Sequence, residues 1–195
     1  MKKRSHMLRA GLFGAAAALL LVSQNLSPFG PKAKGAEEPS SPLKMSITSL
    51  DAKQTGVFRV DLENIGNKDL VLNLGMMLGN GSILIPDAIS LILVDSKGES
   101  KELLFSDPFI AGRIDDYIVP LRAGSAYSLR LSLEDYSCAK TNESKISLQA
   151  GEYRIHAVLT ARGAQTVNSD MEGMKVMNFW KGTVSSAPIT VTVAK

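Results

Sequence analysis

From residue 43 onward, apolar and polar residues alternate along the chain with a period of two. In the segment 57–63, Phe58, Val60 and Leu62 share one face, and charged residues occupy the positions between them. This period is typical of a half-buried β-strand, whereas a helix repeats every 3.6 residues. The pattern therefore predicts strands of an antiparallel sheet with one solvated face. The same alternation recurs in 70–74, 127–133, 153–159 and 189–193.

Three more segments complete the predicted set of strands. Residues 89–94 are apolar on both faces and predict a central strand, while 45–50 and 101–105 are weaker candidates. Turn residues separate the strands at 65–69, 96–99 and 122–125, and 64–69 is short enough to predict a hairpin. We expect only short helical turns, within 106–116 and 134–147. Seven to nine short strands at this spacing predict an all-β antiparallel sandwich or barrel.

One local motif favours the sandwich. Gly151 lies at a turn and Tyr153 follows two residues later, at the start of an alternating segment. In immunoglobulin-like sandwiches a tyrosine at this position bonds through its hydroxyl to the backbone a few residues upstream. We therefore predict such a hydrogen bond for Tyr153; the alternative is an ordinary core tyrosine.

The second half of the chain, about 118–195, resembles secreted immunoglobulin-like or fibronectin-like domains. The resemblance rests on the order of 120–125, 129–136 and 148–153, and on a closing segment, 180–193, that resembles the last hairpin of such domains. It is also similar to the sandwich that precedes the catalytic domain of deuterolysin-type secreted proteases. The chain has no cysteine pair and no His-Glu-x-x-His motif. The resemblance implies an immunoglobulin-like β-sandwich over 43–195 with an adhesion or accessory role.

Residues 1–36 have the three parts of a secretory signal peptide. Basic residues open the chain, 11–22 form a short apolar run, and small residues occupy 33–36. We expect cleavage after Gly35 or Ala36, followed by a linker over 37–42. The protein is then secreted or periplasmic. The alternative is an uncleaved anchor, although an apolar run of about a dozen residues is short for a bilayer that needs roughly 20.

Removal of the signal peptide reverses the charge of the chain. Six of the 22 basic residues lie in residues 1–36 and all 19 acidic residues lie in 37–195, so the mature chain has 16 basic and 19 acidic residues and a net charge of −3. Nucleic-acid binding requires a basic face and is not predicted. Cys138 is the only cysteine, which excludes an intramolecular disulfide, and we expect its thiol to be buried.

Few residues offer catalytic chemistry. His156 is the only histidine after the signal peptide, and its place in the alternation predicts a solvent-facing side chain. Asp115 and Asp116 are adjacent acidic residues and are the candidates for a carboxylate-based hydrolase. Because adjacent residues of a strand point to opposite faces, the pair alone does not supply two acids across a cleft. We expect it in a turn, paired with Arg113.

Met171, Met174 and Met177 repeat at three-residue spacing, close to Phe179. Thioether ligands select Cu(I), so these methionines are a candidate copper site that His156 would complete. Methionines also fill irregular gaps in a core, and the neighbouring apolar residues favour that interpretation.

The sequence thus predicts an exported, non-catalytic module without a cofactor, which binds an envelope or extracellular protein or a surface ligand. A membrane is a partner only if the N-terminal segment is uncleaved. The copper-binding envelope protein and the small hydrolase remain alternatives, in that order.

Overall fold

The computed structural model describes residues 41–50, 56–106, 112–163 and 179–194. All of them fall within one compact unit, Pro39–Lys195. The predicted signal peptide and most of the predicted linker lie outside the described residues. No helix among the described residues has the length and apolar character that crossing a membrane requires.

The described residues form thirteen strands and two short 3-10 turns, over Gly79–Gly81 and Leu133–Asp135. Nine strands have five residues or more, and the other four have two to four. The strands are β1 (Leu43–Ser49), β2 (Val57–Asn64), β3 (Leu70–Leu78), β4 (Ile83–Ile85), β5 (Ile89–Asp95), β6 (Ser100–Phe105), β7 (Ile114–Leu121), β8 (Ala126–Ser132), β9 (Tyr136–Cys138), β10 (Glu143–Ser144), β11 (Gly151–Ala161), β12 (Gly182–Ser185) and β13 (Ile189–Val193).

The strands form three antiparallel sheets, with the orders β1-β2-β8, β4-β3-β7 and β10-β9-β6-β5-β11-β12; β13 also pairs with β11. Their inward faces meet in a single core, to which the three sheets contribute, for example, Phe58, Leu72 and Ile155, all fully buried. Burying one such side chain stabilises the fold by about 1.5–3 kcal/mol. The predicted all-β sandwich is confirmed, and the short strands at the sheet margins raise the number of strands.

The hairpin predicted for 64–69 is wrong. Strand β2 pairs with β1 and β8, whereas β3 pairs with β4 and β7, so this turn carries the chain from one sheet to another. Asn64, which is fully buried, fixes the crossing. Its side-chain amide donates to the carbonyls of Lys68 (2.8 Å) and Leu121 (3.0 Å), and its side-chain oxygen accepts from the Gly66 amide (3.0 Å).

The backbone of Asn64 also joins this turn to the next crossing. Its amide donates to the Ser125 carbonyl, and its carbonyl accepts from the Gly124 amide, both at 2.9 Å. We call these five hydrogen bonds of Asn64 the turn clamp. Buried polar groups must find partners within the protein, and here each bond holds part of a sheet-to-sheet connection.

Strand β7 replaces the helical turn expected in 106–116, as far as that segment is described. Its residues pair with β3 from Ile114 opposite Leu78 to Leu121 opposite Leu70, with an irregularity between Asn73 and Met76. The alternation in β7 is interrupted by polar residues, so local periodicity does not reveal it. Pairing with β3, whose partner residues lie 36 to 51 positions earlier in the chain, defines it instead.

Candidate functional site

The acidic pair lies in a strand, not in the predicted turn. Asp115 and Asp116 belong to β7. The N–H of Arg113 Nε donates to both carboxylate oxygens of Asp115, at 2.9 and 3.0 Å, which confirms the predicted pairing. Asp116 is buried and accepts from Asn73 Nδ2 at 2.8 Å. As neighbours on a strand the two carboxylates point to opposite faces and do not converge on a common cleft.

His156 and Cys138 lie where the sequence predicts. His156 lies on the outer face of the seven-stranded sheet, since Ile155 and Ala157 beside it are buried; this confirms the prediction. Cys138 is 1 % exposed, which confirms its predicted burial, and a hydrogen bond from Thr141 lowers the pKa of its thiol.

Within the described residues, no three or more His, Cys, Asp or Glu side chains group as a metal site. Met171, Met174 and Met177 lie outside the described residues, so the copper site stays a prediction.

Asp87 and Arg162 form a half-buried ion pair. Asp87 accepts a hydrogen bond from Arg162 at 2.7 Å. Burial raises the pKa of the Asp87 carboxyl above its ordinary value, although Arg162 acts in the opposite direction. Asn73 reaches the carbonyl of Gly163, next to Arg162, at 2.9 Å. These groups hold the end of β11 against β3, which gives them a structural role.

The predicted hydrogen bond of Tyr153 is confirmed, and it borders a concave part of the surface. The Tyr153 hydroxyl donates to the Gln149 carbonyl at 3.2 Å. This bond fixes the path of the segment 145–149 just before it enters β11. Between this segment and the ends of β5 and β6 lies a cleft of about 400 Å³, which we call the corner cleft.

The corner cleft has apolar and charged parts. Leu93, Ile146 and Leu148 provide the apolar surface. Carboxylates and amines surround it, from Asp95, Glu99, Lys101, Glu143 and Lys145. Apolar lining with a few polar groups that fix orientation is typical of binding sites, and the volume lies within their usual range of about 300–1,000 Å³.

Two contacts set the shape of the cleft. The Asp95 carboxylate accepts from the amides of Lys97 and Glu99, both at 2.9 Å, and so orders the turn between β5 and β6. Lys101 Nζ lies 2.8 and 3.1 Å from the two carboxylate oxygens of Glu143, which joins β6 to β10. The bond to Glu143 raises the pKa of Lys101.

The backbone beside the cleft is strained. Asn142 (φ 54°) and Lys145 (φ 62°) are the non-glycine residues with positive φ in the described part of the chain. Asparagine tolerates this region, but for lysine the left-handed conformation costs roughly 1–2 kcal/mol. Lys145 is held there by its neighbours: Glu143 is tied to Lys101, and Ile146 is buried with its amide bonded to the Tyr136 carbonyl at 3.3 Å.

Sequence reasoning missed the corner cleft. Its two sides come from residues 93–101 and 143–153, which belong to separate elements of the chain. The one local signal is the Asp95 turn, since aspartate followed by glycine three residues later is typical of such turns. The left-handed conformation of Lys145 has no sequence signal.

A second surface combines apolar side chains with a sheet edge. Ile83 and Leu84, on β4, are 55 % and 44 % exposed. Strand β4 is the last strand of its sheet and pairs only with β3 among the described residues. Exposed apolar edge strands promote association with other chains, so this edge is a secondary candidate surface.

No protein-family model matches the chain. No curated protein matches it either.

Proposed function

We propose that this chain is an exported, non-catalytic immunoglobulin-like module that binds a segment of another protein at the corner cleft. The strained backbone of Lys145 at the cleft carries the proposal. Strain of this kind persists only where the surrounding structure enforces it, and it concentrates at binding and active sites.

The lining of the cleft supports a polypeptide ligand. Leu93, Ile146 and Leu148 offer apolar contact for one side chain of a ligand. Glu99 and Lys145 are exposed and carry opposite charges, so they can orient the charged or polar groups that flank it. A polypeptide segment offers both kinds of group along its length.

The N-terminal sequence supports export. A signal peptide over residues 1–36 would deliver residues 37–195 to the periplasm or the outside of the cell. The mass of the protein recovered from its native cells tests this part, because cleavage after Gly35 or Ala36 removes a defined segment. Recovery of the intact chain in the cytoplasmic fraction would contradict export.

The binding experiment compares three tagged proteins recovered from native cells, with mass spectrometry of the retained partners. The test variant carries Glu99→Lys and Lys145→Glu, which reverse two exposed charges of the cleft and leave its apolar surface in place. The control carries Lys68→Glu, an exposed residue that does not line the cleft.

We expect a partner that the wild type and the control retain and that the test variant loses by at least tenfold. Equal retention by all three proteins would contradict a role for the cleft, as would the absence of any specific partner. Thermal unfolding of each protein checks that the substitutions leave the fold intact.

A further inference from the structure

The edge of the seven-stranded sheet contains a break that opens a second concave site. Strands β12 and β13 run one after the other along β11, opposite Val158–Ala161 and Gly151–Ile155 respectively. Residues 186–188 separate them. Strand pairing stops there because the Ser186 side chain, rather than a backbone carbonyl, accepts the Ala157 amide, at 3.0 Å.

The break leaves a groove of about 280 Å³ on the outer face of the sheet, lined by Val94, Arg154, His156, Ser185, Ser186 and Pro188. We call it the edge groove. Its position is fixed by the backbone, since the Ser186 amide donates to the Ala157 carbonyl at 2.9 Å and Ser186 is buried. The groove is therefore part of the folded sheet.

The polar side chains of the edge groove can all donate hydrogen bonds, and none is a carboxylate. Arg154 offers a planar guanidinium, His156 an imidazole and Ser185 a hydroxyl. Among the described residues, Arg154 and His156 have no hydrogen bond or ion pair with another side chain. A guanidinium without a protein partner in such a groove is suited to an oxyanion, which it can bind with two parallel hydrogen bonds.

The acidic residues of this face lie outside the lining of the groove. Glu152 precedes Arg154 by two residues on the same face of β11. Glu102 lies two strands from His156, because His156 pairs with Ile92 and Ile92 pairs with Glu102. These carboxylates surround the groove at a distance and would disfavour a highly charged anion more than a single one.

We propose that the edge groove is a binding site for an oxyanion, a carboxylate or phosphate group, held by Arg154 with His156 and Ser185 as further donors. The site is independent of the corner cleft and shares no residue with it. Its test therefore does not depend on the function proposed for the cleft.

The experiment records amide NMR spectra of the protein, purified as it occurs in its native cells, during titration with sodium acetate and, separately, inorganic phosphate, at constant ionic strength. We expect saturable shifts at Arg154, His156 and Ser185, and at least tenfold weaker binding in Arg154→Gln, about 1.4 kcal/mol. The control is Arg130→Gln, an exposed arginine of β8 outside the groove, which should leave the affinity unchanged.

The two titrations distinguish the source of the anion. Tighter binding of acetate would indicate a carboxylate ligand, and tighter binding of phosphate would indicate a phosphate-bearing one; both support the site. Shifts that never saturate, or saturation unchanged in Arg154→Gln, would overturn the proposal. Unchanged thermal unfolding of Arg154→Gln ensures that a loss of binding is not a loss of fold.

Discussion

The turn clamp and the corner cleft are both built from polar residues at the ends of strands, and they use those residues in opposite ways. Asn64 is fully buried, and its polar atoms form five hydrogen bonds that connect two sheets. In the cleft, Glu99 and Lys145 face solvent, and Lys145 is held in a costly backbone conformation. The first arrangement stabilises the fold, whereas the second leaves polar groups free to meet a ligand.

Polarity alone therefore does not mark a functional site in this protein. Asp116, which the sequence offers as a catalytic candidate, has a structural role like that of Asn64, because it is buried and hydrogen-bonded to Asn73. Lys145, which the sequence does not distinguish, belongs to the cleft. Burial, completed hydrogen bonds and backbone strain separate the two groups, and all three are properties of the folded chain.

Loss of the turn clamp should cause the greatest fall in the free energy of unfolding. Asn64→Ala removes three side-chain hydrogen bonds and leaves the carbonyl of Lys68 and the buried carbonyl of Leu121 without that partner. We expect the free energy of unfolding to fall by about 3 kcal/mol, measured by denaturant titration. Asn67→Ala, an exposed change in the same turn, should stay within about 0.5 kcal/mol. Equal effects of the two changes would show that the clamp is not a source of stability.

A comparable fall in the free energy of unfolding is expected from a change in the irregular part of β3. Gly75 has φ +146°, and a Cβ there would collide with the Ile85 carbonyl and lie 2.7 Å from the Asp87 amide. Gly75→Ala should lower the free energy of unfolding by about 3 kcal/mol. Gly98→Ala is the control: φ is +84° but no atom lies within 4 Å. Gly98→Ala should lower the free energy of unfolding by only about 1 kcal/mol. Denaturant titration of both variants therefore distinguishes the cost of the Cβ collision from the cost of the backbone conformation.

A substitution at the cleft should raise the free energy of unfolding rather than lower it. Lys145→Gly relieves a left-handed lysine, and we expect a gain of about 1 kcal/mol in unfolding free energy. Partner retention should fall in the same variant, because the ammonium group is lost. Asn142→Gly relieves a milder case outside the cleft and should change stability by only a few tenths of a kcal/mol. If Lys145→Gly lowers the free energy of unfolding, the backbone of Lys145 is not strained, and strain no longer supports a binding site at the cleft.

The smallest effect is expected from the ion pair that borders the cleft. Lys101 and Glu143 are 31 % and 46 % exposed, so a double-mutant cycle with Lys101→Gln and Glu143→Gln should give a coupling of about 0.5 kcal/mol. The folded-state pKa of Lys101 is raised above 10.5. The pair therefore stabilises the fold fully below that pH and loses its contribution as the pH rises through the raised value. A coupling that stays constant from pH 7 into this range would contradict the assignment.

Several features of the site were visible in the sequence. These features depend on strand alternation or on neighbours within a few residues. They are the outward position of His156, the burial of Cys138, the pairing of Arg113 with Asp115 and the hydrogen bond of Tyr153. The cleft depends on segments about 45 residues apart that meet only in the folded chain. The edge groove likewise requires β12 and β13 to share one neighbour, which no local pattern specifies.

The antiparallel strands around one apolar core follow from the sequence pattern, because a period of two specifies locally which side chains are buried. Which strands pair depends instead on the tertiary structure. It made 64–69 a crossing between sheets rather than a hairpin, since the partners that satisfy Asn64 come from Lys68, Leu121 and the turn at 124–125. It also put Lys145 into its strained conformation beside the cleft. These outcomes depend on contacts between residues far apart in the chain, whose energies local patterning does not contain.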